Sequence, residues 1–367
     1  MKQRAPFRAD VVGSLLRPPP LASAREAFRA KTIDAAELRK VEDLCIREAV
    51  KKQEALGLNA VTDGEFRRSW WHLDFLSGLD GVELVAGAGR KFSGVRTRGE
   101  RVTVTGKVAF GRHPMLDHFR FLRETATVLP KMTIPAPSVL HFRGGRDAIS
   151  REAYPDLEAF FSDTAEAYRA AIAAFHDAGC RYLQFDDTAW AYLCSNKDQE
   201  ALRARGDDPG QLQQAYARMI NQALATKPED MVVTTHVCRG NYRSSWFAEG
   251  GYEPVAEMLL GGTAYDGFFL EYDTERAGGF QPLRFLPKGN KRVVLGLLTT
   301  KHGTLETVDE IRSRIDKASA FADLDQLCLS PQCGFASTEE GNLLETGEQW
   351  RKLERIVETA HRVWGAV

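Results

Sequence analysis

The sequence predicts a (β/α)8 TIM barrel carrying a β-hairpin insertion after the second strand. Two patterns and one absence lead there. Short β-rich apolar runs alternate with longer amphipathic stretches along the 367 residues, as expected when parallel strands are joined by helical crossovers. Eight such runs are recognisable, enough to close a ring. No Gly-x-Gly-x-x-Gly follows the first of them, so a doubly wound dinucleotide-binding sheet has no support.

The strand candidates, in order, are Asp10–Gly13, Asn59–Asp63, Met132–Ile134, Tyr182–Phe185, Met231–Thr235, Phe268–Leu270, Val293–Leu297 and Gln326–Leu329. Among them, the apolar run Met231-Val232-Val233 reads as a buried parallel strand. Among the helical stretches, Asp34-Ala35-Ala36-Glu37 has the form of a capping box. It opens a stripe through Leu38, Val41, Cys45 and Ala49 to Leu56, which Gly57 stops. Further helices are expected from about 157 to 179, 211 to 225 and 307 to 322, and a last one near 347 to 364 closes the ring. Residues 81 to 112 break the alternation. The pattern Arg101-Val102-Thr103-Val104-Thr105 marks a β-hairpin that carries Arg90, Lys91, Arg96, Arg98, Arg101, Lys107 and Arg112 against Glu83 and Glu100 alone. Such a charge run ordinarily faces water; the functional alternative is a lid that offers cations to an acidic substrate. With no linker-like stretch and no internal repeat, residues 1–367 read as a single catalytic barrel domain that includes the hairpin.

Composition limits the function. Lys and Arg total 49 against 50 Asp and Glu, a net charge of −1, which argues against nucleic-acid or membrane-surface binding. No apolar stretch has the length of a membrane span, and the polar start Met1-Lys2-Gln3-Arg4 does not read as a secretory signal, so a cytoplasmic location is expected. Six cysteines in so long a chain do not form a disulfide framework. Cys45, Cys180, Cys194 and Cys328 have ordinary packing roles, whereas Cys238 and Cys333 follow strand ends.

Those strand ends carry the chemistry. Barrel active sites gather on the loops at the carboxyl ends of the strands. His236 and Cys238 follow the fifth predicted strand, Glu271 ends the sixth and Cys333 follows the eighth. One imidazole, two thiols and a carboxylate converging on one rim form a four-coordinate set suited to Zn²⁺, and the two thiolates argue against Mg²⁺ or Ca²⁺. A single His or Cys at a strand end is more often a packed residue than a ligand; four on one rim shift the balance to metal. Ligands scattered over a barrel mouth favour catalysis over a structural site. An electron-rich sulfur set suits activation of a substrate thiol.

Short motifs spread along the chain resemble the cobalamin-independent methionine synthases, especially their catalytic barrel and its short single-barrel relatives. Val11-Val12-Gly13-Ser14 is similar to the family's Ile-Gly-Ser, Asp63-Gly64-Glu65 to His-Gly-Glu, and Gln184-Phe185-Asp186-Asp187 to Gln-Ile-Asp-Glu. Thr235-His236-Val237-Cys238 resembles Thr-His-Met-Cys, Leu270-Glu271 resembles Ile-Glu, and Pro331-Gln332-Cys333-Gly334 resembles Pro-Asp-Cys-Gly. The matches keep their order and cover most of the chain. The resemblance implies zinc on His236, Cys238, Glu271 and Cys333, and an amino-acid site at Gly13, Ser14, Glu65 and Asp186. It implies a small-molecule thiol, homocysteine, as acceptor, with a methyl donor such as 5-methyltetrahydrofolate or another methyl carrier. Two departures stand out: the second barrel of the full-length enzymes is absent, and Lys301 with His302 stands where the family has a proton-transferring histidine. Trp70, Trp71, Trp190 and Trp246 are the candidate aromatic shelf for a donor.

The leading expectation is therefore a zinc-dependent thiol methyltransferase that makes methionine. Three alternatives stay open: alkyl transfer to another thiol, as in the related epoxyalkane:coenzyme M transferases; a non-catalytic zinc- or thiol-binding barrel; and a metal-free, uroporphyrinogen decarboxylase-like barrel with arginines at its mouth, for which Arg17, Arg67, Arg68 and Arg239 are candidates. Homo-oligomerisation is left open.

Overall fold

Seven parallel strands curl side by side in the computed structural model, which describes residues 4–87 and 99–367. They are β1 (Ala60–Val61), β4 (Leu129–Pro135), β5 (Tyr182–Asp187), β6 (Val232–Val237), β7 (Gly267–Glu271), β8 (Arg292–Leu298) and β9 (Leu327–Pro331), adjacent in that order. β2 (Asp80–Ala86) and β3 (Glu100–Ala109) form a separate antiparallel hairpin. The fold is thus the TIM-barrel type expected, with its hairpin after the second predicted strand.

The eighth position differs from expectation. Asp10–Gly13 is not a regular strand; it joins the sheet through one parallel bridge, Ala9 to Leu329. The cause is competition from side chains. The Asp10 carboxylate accepts the backbone N–H groups of Phe7 and Val11. The carbonyls of Val11, Val12 and Gly13 are taken by Lys131 Nζ, Gln184 Nε2 and Thr62 Oγ1. Local side-chain bonds of this kind replace ladder pairing. The segment still closes the ring between β9 and β1, because Leu15 N–H reaches Gly64 O at 3.0 Å.

Helices cover the sheet where the pattern put them. Asp34 and Glu37 form the reciprocal capping box that opens Ala35–Ala55. Leu157–Asp177, Pro209–Leu224, Val308–Ser319 and Thr346–Trp364 follow β4, β5, β8 and β9. Their apolar faces join one continuous core that includes Trp190, Tyr168, Phe175 and Ile356. At the amino-terminal end of the barrel, Lys131 is buried against Asp10 at 3.2 Å, with the Phe269 ring 3.9 Å away. Four of the basic hairpin residues, Arg90, Lys91, Arg96 and Arg98, lie outside the described residues. Lys107 of β3 turns to Asp163 at 3.3 Å on the neighbouring helix. Val102, near the start of β3, packs on Trp70, Leu73 and Tyr242, so this part of the hairpin lies against the barrel mouth.

Candidate metal centre and amino-acid site

β6 delivers His236 into the mouth and its next turn delivers Cys238; β7 ends on Glu271, and Cys333 comes two residues after β9. Parallel register aligns these ends, with His236 opposite Asp186 on β5 and Phe269 on β7. One ligand atom from each of His236, Cys238, Glu271 and Cys333 lies within 4.8 Å of all the others, and all four residues are buried. The two sulfurs are 3.6 Å apart.

The electrostatics are those of a cation site. Glu271 Oε1 accepts the Arg239 backbone N–H at 2.7 Å, which fixes the carboxylate. Its Oε2 and both ring nitrogens of His236 are shielded from solvent with no hydrogen-bond partner among the described residues. Buried polar atoms are rarely left so. Burial, the nearby Cys333 and Asp273 push the Glu271 carboxyl up to about 7, and Lys301 and His236 act against them. Cys333 is held well below the usual thiol range by the proton Cys238 donates to it, helped by His236 and Lys301. Four crowded groups that ionise at one another's expense suit a divalent ion, and a nitrogen, two sulfurs and an oxygen fit tetrahedral Zn²⁺.

The residues expected to bind an amino acid share one cavity with the cluster: Ser14, Glu65 and Asp186 line it together with His236, Cys238 and Cys333. Glu65 stands in the left-handed region at φ 60°, which costs roughly 1–3 kcal/mol for a residue with a side chain. Thr133 Oγ1 donates to its Oε1 at 2.9 Å, and Arg68 lies 3.6 Å from Oε2. Asp186 Oδ1 accepts from Gln184 Nε2 at 2.7 Å. Burial first, then Glu65, raises the Asp186 carboxyl to about 7, although His236 opposes the shift. Gly13 is required by space, since a Cβ there would stand 2.8 Å from Thr133 Cγ2 and 3.1 Å from Glu65 Oε1. Ser14 carries the β9 loop: its carbonyl accepts Phe335 N–H at 2.8 Å and its Oγ accepts Ala336 N–H at 3.3 Å.

Lys301 and His302 differ in burial. Lys301 is buried, its Nζ has no hydrogen-bond partner among the described residues, and its charge acts on Glu271 and Cys333. His302 is exposed, and both residues line an outer cleft with Trp246 and Arg276. The four tryptophans also divide. Trp70 and Trp71 line the cavity, whereas Trp190 is wholly buried in the core and Trp246 lies against the Arg276 guanidinium at 4.6 Å. The four candidate arginines do not form a free cationic ring: Arg67 is held by Glu42 and Asp43, Arg68 by Thr133 O, Arg239 by Gly250 O and the Tyr252 ring, and Arg17 by four carbonyls.

Sequence reasoning missed Thr133, Asn241 and Tyr242. Asn241 and Tyr242 follow Cys238 at the cavity wall, and Asn241 Nδ2 donates to Gly334 O at 2.6 Å. Their only signal was proximity to a ligand in the chain.

Residues 7–361 match the family model described as cobalamin-independent synthase, catalytic domain. The chain belongs to that family. It is 50% identical over 365 residues to the uncharacterized protein YxjH of Bacillus subtilis (strain 168), covering 99% of this chain and 96% of that one. To the methionine synthase of Pyrococcus abyssi it is 25% identical over 341 residues, covering 89% and 86%. A solved structure from Listeria monocytogenes, provisionally assigned as a vitamin-B12-independent methionine synthase, matches with TM-score 0.80 and 45% identity over 99% of this chain and 100% of that one. The B12-independent methionine synthase of Shewanella sp. W3-18-1, solved with selenomethionine, shares the fold with TM-score 0.73 at 21% identity, over 97% of each chain. Among the described residues, no helix is long and apolar enough to cross a membrane.

Proposed function

We propose that the protein transfers a methyl group to the thiol of homocysteine, giving methionine, with zinc held by His236, Cys238, Glu271 and Cys333. Zinc bound there supplies the positive charge that keeps an acceptor thiol ionised at neutral pH. The observation that carries the reading is the shared cavity: a buried four-donor cluster within 4.8 Å opens beside two buried carboxylates, Glu65 and Asp186. An α-amino thiol matches that pair of features. Its ammonium suits the two carboxylates through charge-assisted bonds, and its sulfur suits the metal cluster.

The remaining groups have definable work. Gln184 and Thr133 hold Asp186 and Glu65 in place by donating to them. Trp70 and Trp71 offer the aromatic wall for a donor, either 5-methyltetrahydrofolate or another methyl carrier. In the transfer, the thiolate forms the new S–C bond while the donor leaves with the electron pair of its broken methyl bond. The leaving group then needs a proton, and Lys301, a buried group whose charge acts on Glu271 and Cys333, is the residue assigned to supply it. Coenzyme M, with a sulfonate and no amine, would meet Glu65 and Asp186 unfavourably.

The test is a panel of methyl donors given to zinc-loaded protein and homocysteine, with methionine read by mass spectrometry. Methionine formed from any donor supports the reading. Homocysteine binding without methionine from any donor replaces it with a non-catalytic thiol-binding barrel. Tighter binding of coenzyme M than of homocysteine replaces the acceptor.

A further inference from the structure

We infer that Arg17 is a positioning residue that sets the distance between amine recognition and thiol activation, and thereby selects the chain length of the amino-acid thiol. The inference rests on the homocysteine reading above. The Arg17 guanidinium bridges two loops of the mouth. Nη1 donates to Ala336 O at 2.5 Å and Thr338 O at 3.1 Å; Nη2 donates to Glu65 O at 3.0 Å and Arg68 O at 3.1 Å. One side of this fork is the turn that carries Glu65, the proposed ammonium partner. The other is the loop that begins at Cys333, the proposed metal ligand.

Two further observations show why that span depends on Arg17. Glu65 holds a left-handed backbone at φ 60°, directly after Gly64 at φ 66°, and such a conformation persists only where its surroundings over-determine it. Arg17 binds the carbonyl of that residue. The same two loops are also tied near their tips, by Trp71 N–H to Ser337 O at 3.0 Å and Glu339 N–H to Ser69 O at 2.9 Å. They therefore stay associated without Arg17 while losing the fork that, beside the Leu15–Gly64 and Ser14–Phe335 backbone bonds, sets their inner spacing. A planar five-donor guanidinium can address four carbonyls from one position; an ammonium cannot reproduce that fork.

Cysteine is homocysteine shortened by one methylene and otherwise presents the same amine, carboxylate and thiol. A rigid span between Glu65 and Cys333 accepts one length and rejects the other, whereas a loosened span accepts both more evenly. The experiment compares dissociation constants of homocysteine and cysteine for zinc-loaded wild type, Arg17→Lys and Arg17→Met by isothermal titration, with zinc content measured for each. The expected result is a wild-type preference for homocysteine that falls about tenfold or more in both variants, with zinc retained. Equal weakening of both thiols, or an unchanged preference, would make Arg17 merely structural and overturn the inference. Should Arg17→Met fail to fold, Arg17→Lys decides alone. Failure of wild type to bind either thiol would instead overturn the homocysteine reading itself.

Discussion

Replacing Asp186 by Asn tests the amino-acid half of the site with little change of shape. Asp186 sits at the end of β5, held opposite His236 by the ladder, and its Oδ1 accepts from Gln184 Nε2 at 2.7 Å. Asparagine can keep that bond through its own oxygen. Its NH2 then occupies the position of the second carboxylate oxygen, facing the cavity, and meets the substrate ammonium donor to donor. A hydrogen bond to a charged group contributes about 1.5–3 kcal/mol, which converts to roughly a 10- to 150-fold loss of homocysteine affinity. A thiol without the amine, such as 2-mercaptoethanol, loses nothing by this route. Titration calorimetry on zinc-loaded wild type and Asp186→Asn should therefore show homocysteine weakened at least tenfold and 2-mercaptoethanol within about twofold, a gap of ~1 kcal/mol or more. Equal weakening of the two thiols would remove the ammonium role from Asp186.

The buried His141, whose Nδ1 lies 2.8 Å from the Tyr216 hydroxyl, is depressed to about 4, first by burial and then by Arg205 and Arg146. Because the unfolded chain protonates this group near 6.5, it binds more protons than the folded protein between about 6.5 and 4. Stability is fully present above that window and falls through it as pH drops, by up to ~3 kcal/mol. His141→Phe should flatten this part of the denaturation profile; equal slopes in both proteins between about pH 7 and 4.5 would contradict it. Trp190→Ala should cost about 3–5 kcal/mol of stability as a core deletion with zinc retained. Trp71→Ala, at the cavity wall, should cost far less stability and lower turnover with the donor. Comparable melting temperatures for the two variants would refute that division.

Much of the site was legible because its residues sit at strand ends. His236 and Cys238 two apart, with Glu271 and Cys333 after later strands, could be placed on one rim by the barrel's parallel register alone. That Ser14, Glu65 and Asp186 share a cavity was legible only through short motifs, since nothing in their spacing announces that they meet. Asp10–Gly13 read as a strand because Val11-Val12 is apolar, yet Lys131, Gln184 and Thr62, all distant in sequence, take its carbonyls. The helix Pro19–Arg29 lies outside those expected, although a proline at its first position is well suited to start one. Trp190 and Trp71 could not be told apart by residue type, because burial decides their roles and burial depends on the packed fold. Arg17 was legible only as a candidate arginine of the mouth; its bridging role left no signature, because its partners are backbone carbonyls, which every residue carries.

The central claim is that His236, Cys238, Glu271 and Cys333 jointly hold one zinc ion. Metal analysis by mass spectrometry on wild type, Cys238→Ser and Cys333→Ser, each purified from zinc-replete medium and dialysed, tests it most directly. Stoichiometric zinc in the wild type, with little left in either folded variant, is the predicted result. Wild type free of transition metal, or both variants keeping a full complement, would contradict it.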